Sequence, residues 1–341
     1  MATEPPFSFA LVLGGGNALG AYHAGVYQAL HEGGFHPNWV LGASAGAING
    51  AIVAGNRVED RLERLNAIWQ PAPFAGSFLP GLEDARRTNA VVETLLFGRS
   101  NIFSPVGPLG SWWMPDASAA SPALFDTGPL KRSLVQLVDF DLLNHGDTRF
   151  TATAVDLDTG EDVAFDTAND RVEVEHVRAS AAMLTAYPAV EIGARAFVDA
   201  GLSANLPLDP VLAAPPPRPT LVVAVDLLPL SARRPATLGE SASRMQDLIF
   251  AAQSRRTIER WQATYTATPP AHPITLARIA YHDGGEEVAG KALDFSPLSV
   301  RKRWDAGLRD GEALLAQLAR VDVTGALPGL HLVPLAVPVL A

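Results

Sequence analysis

Two stretches near the start of the chain decide its fold: Phe9-Ala-Leu-Val-Leu-Gly-Gly-Gly-Asn-Ala-Leu-Gly20 and Trp39-Val-Leu-Gly-Ala-Ser-Ala-Gly46. Each opens with an apolar run of the length of a buried parallel strand and then breaks on glycine. Between them, Ala18 to Glu32 carries apolar residues at helical spacing (Leu19, Tyr22, Val26, Leu30) and stops at Gly33-Gly34. The small-residue run Ala47 to Ala54 predicts a second helix. This β-α-β-α order predicts an α/β fold, a three-layer α/β/α arrangement around a mostly parallel central sheet.

Working outward, residues 71–129 are rich in Pro and Gly and predict an insertion or cap, with one helix over about Ala85 to Phe97. Arg149 to Leu157 and Glu161 to Phe165 read as strands around an Asp158-Thr-Gly160 turn. Further strands are expected at Ala194 to Asp199, Thr220 to Leu228 and Ile274 to Tyr281. Long helices are expected from Ser241 to about Thr266 and, with Ser296-Pro297 as N-cap and first residue, to about Leu318. The Pro-interrupted tail Val321 to Ala341 is expected to lie extended along the body. Residues 1–230 thus form the main unit, and 231–341 an extension packed on it.

The 341 residues are 48% hydrophobic and 18% charged, which excludes a disordered chain. With 36 acidic and 26 basic side chains the net charge is −10, against nucleic acid as a partner. There is no cysteine, so thiolate catalysis and disulfides are excluded, and no histidine pair has metal-site spacing. No apolar run has transmembrane length, and the N-terminus lacks the basic start of a secretory signal. The expectation is a cytoplasmic protein, with transient contact with a membrane surface left open.

Three segments carry chemistry. In Gly42-Ala43-Ser44-Ala45-Gly46 a serine sits between a predicted strand and helix, where a sharp turn pushes its hydroxyl outward and only small neighbours fit. The following helix aims free N–H groups and its positive dipole end at the same spot. The competing reading is a plain glycine-rich turn. Gly14-Gly15-Gly16 offers bare amides to an anion. It fails as a dinucleotide fingerprint, because Leu19 takes the third glycine position, and as a phosphate loop, because no Lys is near. An oxyanion hole and a ligand-free tight turn both remain open for it. Val198-Asp199-Ala200-Gly201 places a carboxylate at a strand end, a position most often filled by turn-formers.

Taken in order, these segments resemble the patatin-like phospholipase family, with its glycine-rich oxyanion loop, Gly-x-Ser-x-Gly elbow and distant Asp-Gly motif. Asp126-Thr-Gly-Pro129-Leu130, the Asp156-Leu-Asp-Thr-Gly160 hairpin, Ala179-Ser180-Ala-Ala182 and Asn205-Leu-Pro207 look like its secondary motifs. The likeness covers roughly 8–230. Lys291 to Ser296, Arg303-Trp304 and Gly307 are similar to a C-terminal extension of bacterial members. The resemblance implies a lipid acyl hydrolase without cofactor. Ser44 would be its nucleophile and Asp199 its base, with an oxyanion hole at Gly14, Gly15, Gly16 and Ala45. Gly42, Gly46, Ala200 and Gly201 would be motif positions. Two positions depart from the family pattern: Ala200 stands where glycine is common, and Leu184 where proline is.

Other readings compete. The order Ser44, Asp199 or Asp226, then His282 allows a Ser-His-Asp esterase. The glycine loop alone allows a non-catalytic anion- or nucleotide-binding module. Asp-Thr-Gly occurs at Asp126 and Asp158, as in aspartic proteases, but 32 residues apart in an α/β pattern it reads as turns. Phe74, Phe78, Trp112, Trp113 and Met114 could line an acyl pocket or pack as a cap. The clusters Arg255, Arg256, Arg260 and Arg301, Lys302, Arg303 read as solvated helix faces, with contact to phospholipid headgroups as the alternative.

Overall fold

The computed structural model describes residues 6–69, 83–106, 122–282, 287–288 and 290–334. The strands are β1 (Ser8–Leu13), β2 (Trp39–Gly42), β3 (Ser104–Pro105), β4 (Phe125–Asp126), β5 (Arg149–Asp156), β6 (Asp162–Asp166), β7 (Val190–Ile192), β8 (Arg195–Asp199), β9 (Thr220–Asp226), β10 (Ile274–Ala280) and β11 (Leu330–Leu332). The helices are α1 (Ala21–Glu32), α2 (Ala45–Ala54), α3 (Arg61–Trp69), α4 (Glu83–Phe97), α5 (Gly128–Leu137), α6 (Phe140–His145), α7 (Val174–Ser180), α8 (Asp209–Ala213), α9 (Leu238–Ala267) and α10 (Pro297–Leu318). Among the described residues no helix is long and apolar enough to cross a membrane.

The strands form one sheet in the order β11-β10-β9-β1-β2-β5-β8-β7, with β6 paired to β5. From β11 to β5 neighbours run parallel; β6, β8 and β7 are antiparallel. The alternation of β1 sets the layers. Phe9, Leu11 and Leu13 join one core with residues of α1, α2 and α10, while Ala10 and Val12 join a second with residues of α8 and α9. This is the expected three-layer α/β/α architecture.

β5 is the hinge of the sheet. Arg149 N–H donates to Asn38 O at 2.9 Å at one end and Leu157 N–H to Ala196 O at 2.8 Å at the other. Phe150 O and Asp156 N–H face β6 instead. A strand alternates its hydrogen-bonding edges residue by residue. The odd-numbered positions therefore serve one edge, and β2 and β8 share it. β2 ends with Gly42 opposite Ala152, and β8, running the other way, ends with Asp199 opposite Ala154. The chain ends leading to Ser44 and from Asp199 therefore meet head to head.

The segment after residue 231 is woven into this body. It supplies β10 and β11, so part of the tail expected as plain extended chain is a strand paired in parallel with β10. Helix α10 crosses α1 at glycine: a β-carbon on Gly307 would lie 2.1 Å from Tyr22 O, and one on Gly25 1.9 Å from Trp304 O. Arg303, expected on a solvated face, is instead fully buried. It and Arg87 both pair with Glu287 at 2.8 Å. Burial opposes ionisation of Glu287, but the two guanidiniums outweigh it and hold the carboxyl at about 2. Ser296 takes the N-cap position of α10 as expected, yet its hydroxyl donates to Asp294 at 2.6 Å and does not cap the helix. Arg255, Arg256 and Arg260 are exposed, as expected. Phe74, Phe78, Trp112, Trp113 and Met114, and most of the expected cap, lie outside the described residues; α4 and the β3–β4 pair are the parts described.

The α1–α10 crossing yields a test. Alanine is favoured over glycine by about 1 kcal/mol in an open helix. At Gly307 the methyl would overlap a backbone oxygen that cannot step aside. Gly307→Ala is expected to destabilise by about 2–3 kcal/mol, seen as a lower urea midpoint with an unchanged slope. An unchanged or higher midpoint contradicts the close crossing.

Candidate active site

The site forms outside the carboxyl ends of β1 and β2, near the point where the strand order reverses. Ser44 has φ 55 and ψ −124, in the left-handed half of backbone space that a side chain adopts only when its surroundings force it. What forces it is proximity. A β-carbon at Gly46 would sit 2.0 Å from Leu13 O, so the turn presses directly on the end of β1. The Ser44 N–H is held by both the carbonyl and the hydroxyl of Ser180, each at 3.1 Å. Two residues on, Ala182 O accepts the Asp199 N–H at 3.0 Å. One short segment at the end of α7 thus anchors both residues. The Ala179 to Ala182 motif was legible in the sequence; its double anchoring was not.

Asp199 is completely buried. Its Oδ1 accepts the Gly201 N–H at 2.7 Å, while Oδ2 has no well-formed hydrogen bond among the described residues. Burial pushes the carboxyl up to about 6, against the opposing pull of the Gly201 N–H and of the nearby Ser44 hydroxyl. The Ser44 side chain is thus close enough to stabilise the carboxylate but does not close a tight hydrogen bond to it. Tyr187, the other titratable group felt at this point, is held neutral because burial raises its own pKa. Ala200 is not among the residues with positive φ, so its methyl is tolerated just after the aspartate.

The glycine loop divides its amides in a way the sequence did not reveal. Gly14 N–H donates to Val225 O at 3.0 Å and Gly15 N–H to Asn205 O at 2.9 Å. Gly14 and Gly15, expected as oxyanion donors, are therefore committed to holding the loop on β9 and on the Asn205 turn. Gly16, Asn17 and Ala45 have backbone N–H groups without a partner among the described residues. All three line the cavity that Ser44 opens into, whereas Gly14 and Gly15 do not. This cavity has a volume of about 250 Å³ and is walled mainly by apolar side chains, including Ile48, Trp69, Leu130, Met183, Leu228 and Phe250. Gln246, Phe250 and the 290–293 segment bring the C-terminal part of the chain into its wall.

No histidine lines the cavity among the described residues. His282 follows β10, its Nδ1 2.8 Å from Ala280 O, with β9 and β1 between that strand and β2. Asp226 is paired with Arg278 at 2.8 Å. His23 is buried in α1, where desolvation drives it down to about 3. The structure thus does not bring His282 and Asp226 to Ser44, and the Ser-His-Asp reading falls. Asp126 and Asp156 accept backbone N–H groups of their own turns, and Asp158 stands in the hairpin, as expected for turn residues.

Residues 11–212 match the family described as patatin-like phospholipase, and residues 233–324 match one described as patatin phospholipase. The chain belongs to the patatin-like phospholipases. Solved structures similar to it include VipD from Legionella pneumophila, at 12% identity and a TM-score of 0.43, over 92% of this chain and 67% of VipD. The type III effector protein ExoU is similar at 16% identity and a TM-score of 0.36, over 92% of this chain and 53% of ExoU. ExoU also appears in a heterodimeric complex with SpcU from Pseudomonas aeruginosa, matched at 17% identity and a TM-score of 0.30 over 76% of this chain and 52% of that one. The chain spans about half the length of ExoU. No curated protein sequence matches it.

The buried aspartate has a thermodynamic consequence. Its folded value, about 6, lies above the usual 3.8, so the native state holds the proton more tightly than the unfolded chain. Stability from this group is complete below about pH 4, declines as the pH rises through 6, and stays lowered above it. The rise corresponds to about 3 kcal/mol at neutral pH. Asp199→Asn is therefore expected to raise the melting temperature at pH 7.5, with the gain vanishing toward pH 4. A variant less stable than wild type at pH 7.5 contradicts the desolvated carboxylate.

Proposed function

We propose that the chain is a serine acyl hydrolase that cleaves carboxylic ester bonds of lipids through an acyl-Ser44 intermediate, with Asp199 as its only general base. The observation that carries this reading is the pairing of a strained elbow serine, which lines an apolar cavity, with a fully buried aspartate beside it.

As Ser44 Oγ attacks the ester carbonyl, its proton passes to Asp199 Oδ2, the carboxylate oxygen without a competing donor. An ordinary aspartate is too weak a base for an alcohol, and burial narrows that gap. The oxyanion that forms is stabilised by the Gly16 and Ala45 N–H groups, the first aided by its neighbour Asn17 and the second by the N-terminal end of α2. Each such donor contributes on the order of 10²–10³ in rate, so these amides rival the base in weight. Collapse expels the alcohol, which takes the proton from Asp199. Water then gives its proton to Asp199 and attacks the acyl carbon, and the fatty acid leaves as Ser44 recovers the proton. No cofactor enters this scheme. The apolar wall accepts the acyl chain, the chemistry expected of a lipid substrate.

Ser44→Ala and Asp199→Asn are each expected to abolish hydrolysis of a chromogenic acyl ester while the fold persists. A fluorophosphonate should label the wild type at Ser44, located by mass spectrometry. Full turnover in either variant, or a wild type inert to the label, sinks the reading, and the inert result favours a simple anion-binding module. The acid limb of kcat/KM should fall near pH 6, because Asp199 must be ionised to accept the proton.

A further inference from the structure

Gln253 lies on α9, in the segment after residue 231, and does not itself line the cavity. Its carboxamide nevertheless spans the two loops that flank the reacting groups. Oε1 accepts the Asn205 N–H at 2.8 Å, and Nε2 donates to Gly201 O at 3.2 Å. Each contact leads one step further inward. Gly201 supplies the N–H that holds Asp199 Oδ1 at 2.7 Å. Asn205 grips the glycine loop twice, through its carbonyl to Gly15 N–H at 2.9 Å and through its side-chain Nδ2 to Gly15 O at 3.1 Å.

We propose that Gln253 is a positioning residue, fixing the Asp199 turn and the oxyanion loop relative to each other, so that the C-terminal segment completes the catalytic centre. This role rests on the Ser44–Asp199 reading above. The primary carboxamide carries an acceptor and a donor on one carbon at neutral pH, so a single side chain can serve both loops. Glutamate keeps the acceptor for Asn205 but loses the donor to Gly201, and methionine loses both at nearly the same volume. Gln253 touches neither substrate nor the reacting atoms, so its loss should act on kcat. A displacement of about 1 Å between base, nucleophile and oxyanion donors is enough to lower a rate by roughly 100-fold.

A tie that merely fastened α9 to the body would lower stability and leave the chemistry's pH dependence unmoved. The positioning role predicts more. When Gly201 is released, its N–H aligns less well on Asp199 Oδ1, the carboxylate loses a donor, and its pKa rises. The groups facing this carboxylate are the Ser44 hydroxyl, the Gly201 N–H and the Tyr187 phenol, which stays neutral, so the acid limb reports on Asp199 itself.

The test measures kcat, KM, the pH profile and the melting curve of the 341-residue chain with a soluble short-chain ester. Wild type, Ser44→Ala, Gln253→Met and Gln253→Glu are compared. For the Gln253 variants the expected result is a kcat about 10- to 100-fold lower, KM within about three-fold, and an acid limb moved to higher pH. If the methionine variant does not fold, Gln253→Glu decides, because it keeps the Asn205 bond that ties α9 down. A folded Gln253 variant with kcat within two-fold of wild type, or with an unmoved acid limb, beside an inactive Ser44→Ala, overturns the positioning role alone. An active Ser44→Ala overturns the hydrolase reading and this role with it.

Discussion

The site depends on two strands ending against each other on one edge of β5. β2 arrives from one end and β8 from the other, and their last residues stand opposite Ala152 and Ala154. A strand edge is a ruler with a fixed spacing. Once both strands are paired to it, the residues that follow Gly42 and that end β8 have no freedom to be far apart. The residues are distant in the chain, yet their approach costs no special loop, because the ordinary hydrogen bonds of a sheet enforce it. The Ser180 and Ala182 contacts then settle the remaining orientation from one side.

That geometry has a thermodynamic price. An aspartate with no exposed surface would be more stable protonated, and a serine with φ 55 would be more relaxed almost anywhere else. The surrounding structure over-determines both, through the press of Gly46 against β1 and the hydrogen bonds that Ser180 and Ala182 accept from the Ser44 and Asp199 N–H groups. Strain and desolvation are thus concentrated where reactivity is needed. Outside the site, Glu287 is buried between Arg87 and Arg303, and this pairing adds to the hold of the C-terminal segment on the body.

Much of this was legible in the sequence because the signals were local. Apolar runs broken by glycine gave the β-α-β-α start, and small residues around Ser44 reported a crowded turn. Long-range hydrogen bonds were not legible. Nothing in Gly14-Gly15-Gly16 tells which amides the fold consumes; that depends on Val225 and Asn205, carried by distant segments. Gln253 is one polar residue in a long helix, with no pattern around it. Arg303 reads as one charge among three, and only the close packing of α10, which the glycines permit, explains its burial. The short β11 was hidden in a Pro-rich tail because pairing, not propensity, makes it a strand.

The central claim is that Asp199 alone serves Ser44 while the free amides of Gly16 and Ala45 receive the oxyanion. A crystal structure of the fluorophosphonate adduct tests this most directly, since its tetrahedral phosphorus stands where the attacked carbon would be. The account predicts phosphorus bonded to Ser44 Oγ, one phosphoryl oxygen within hydrogen-bonding distance of both amides, and Asp199 Oδ2 facing Ser44 Oγ. An adduct whose oxygen avoids both amides, or in which a histidine and not Asp199 stands beside Ser44, would contradict it.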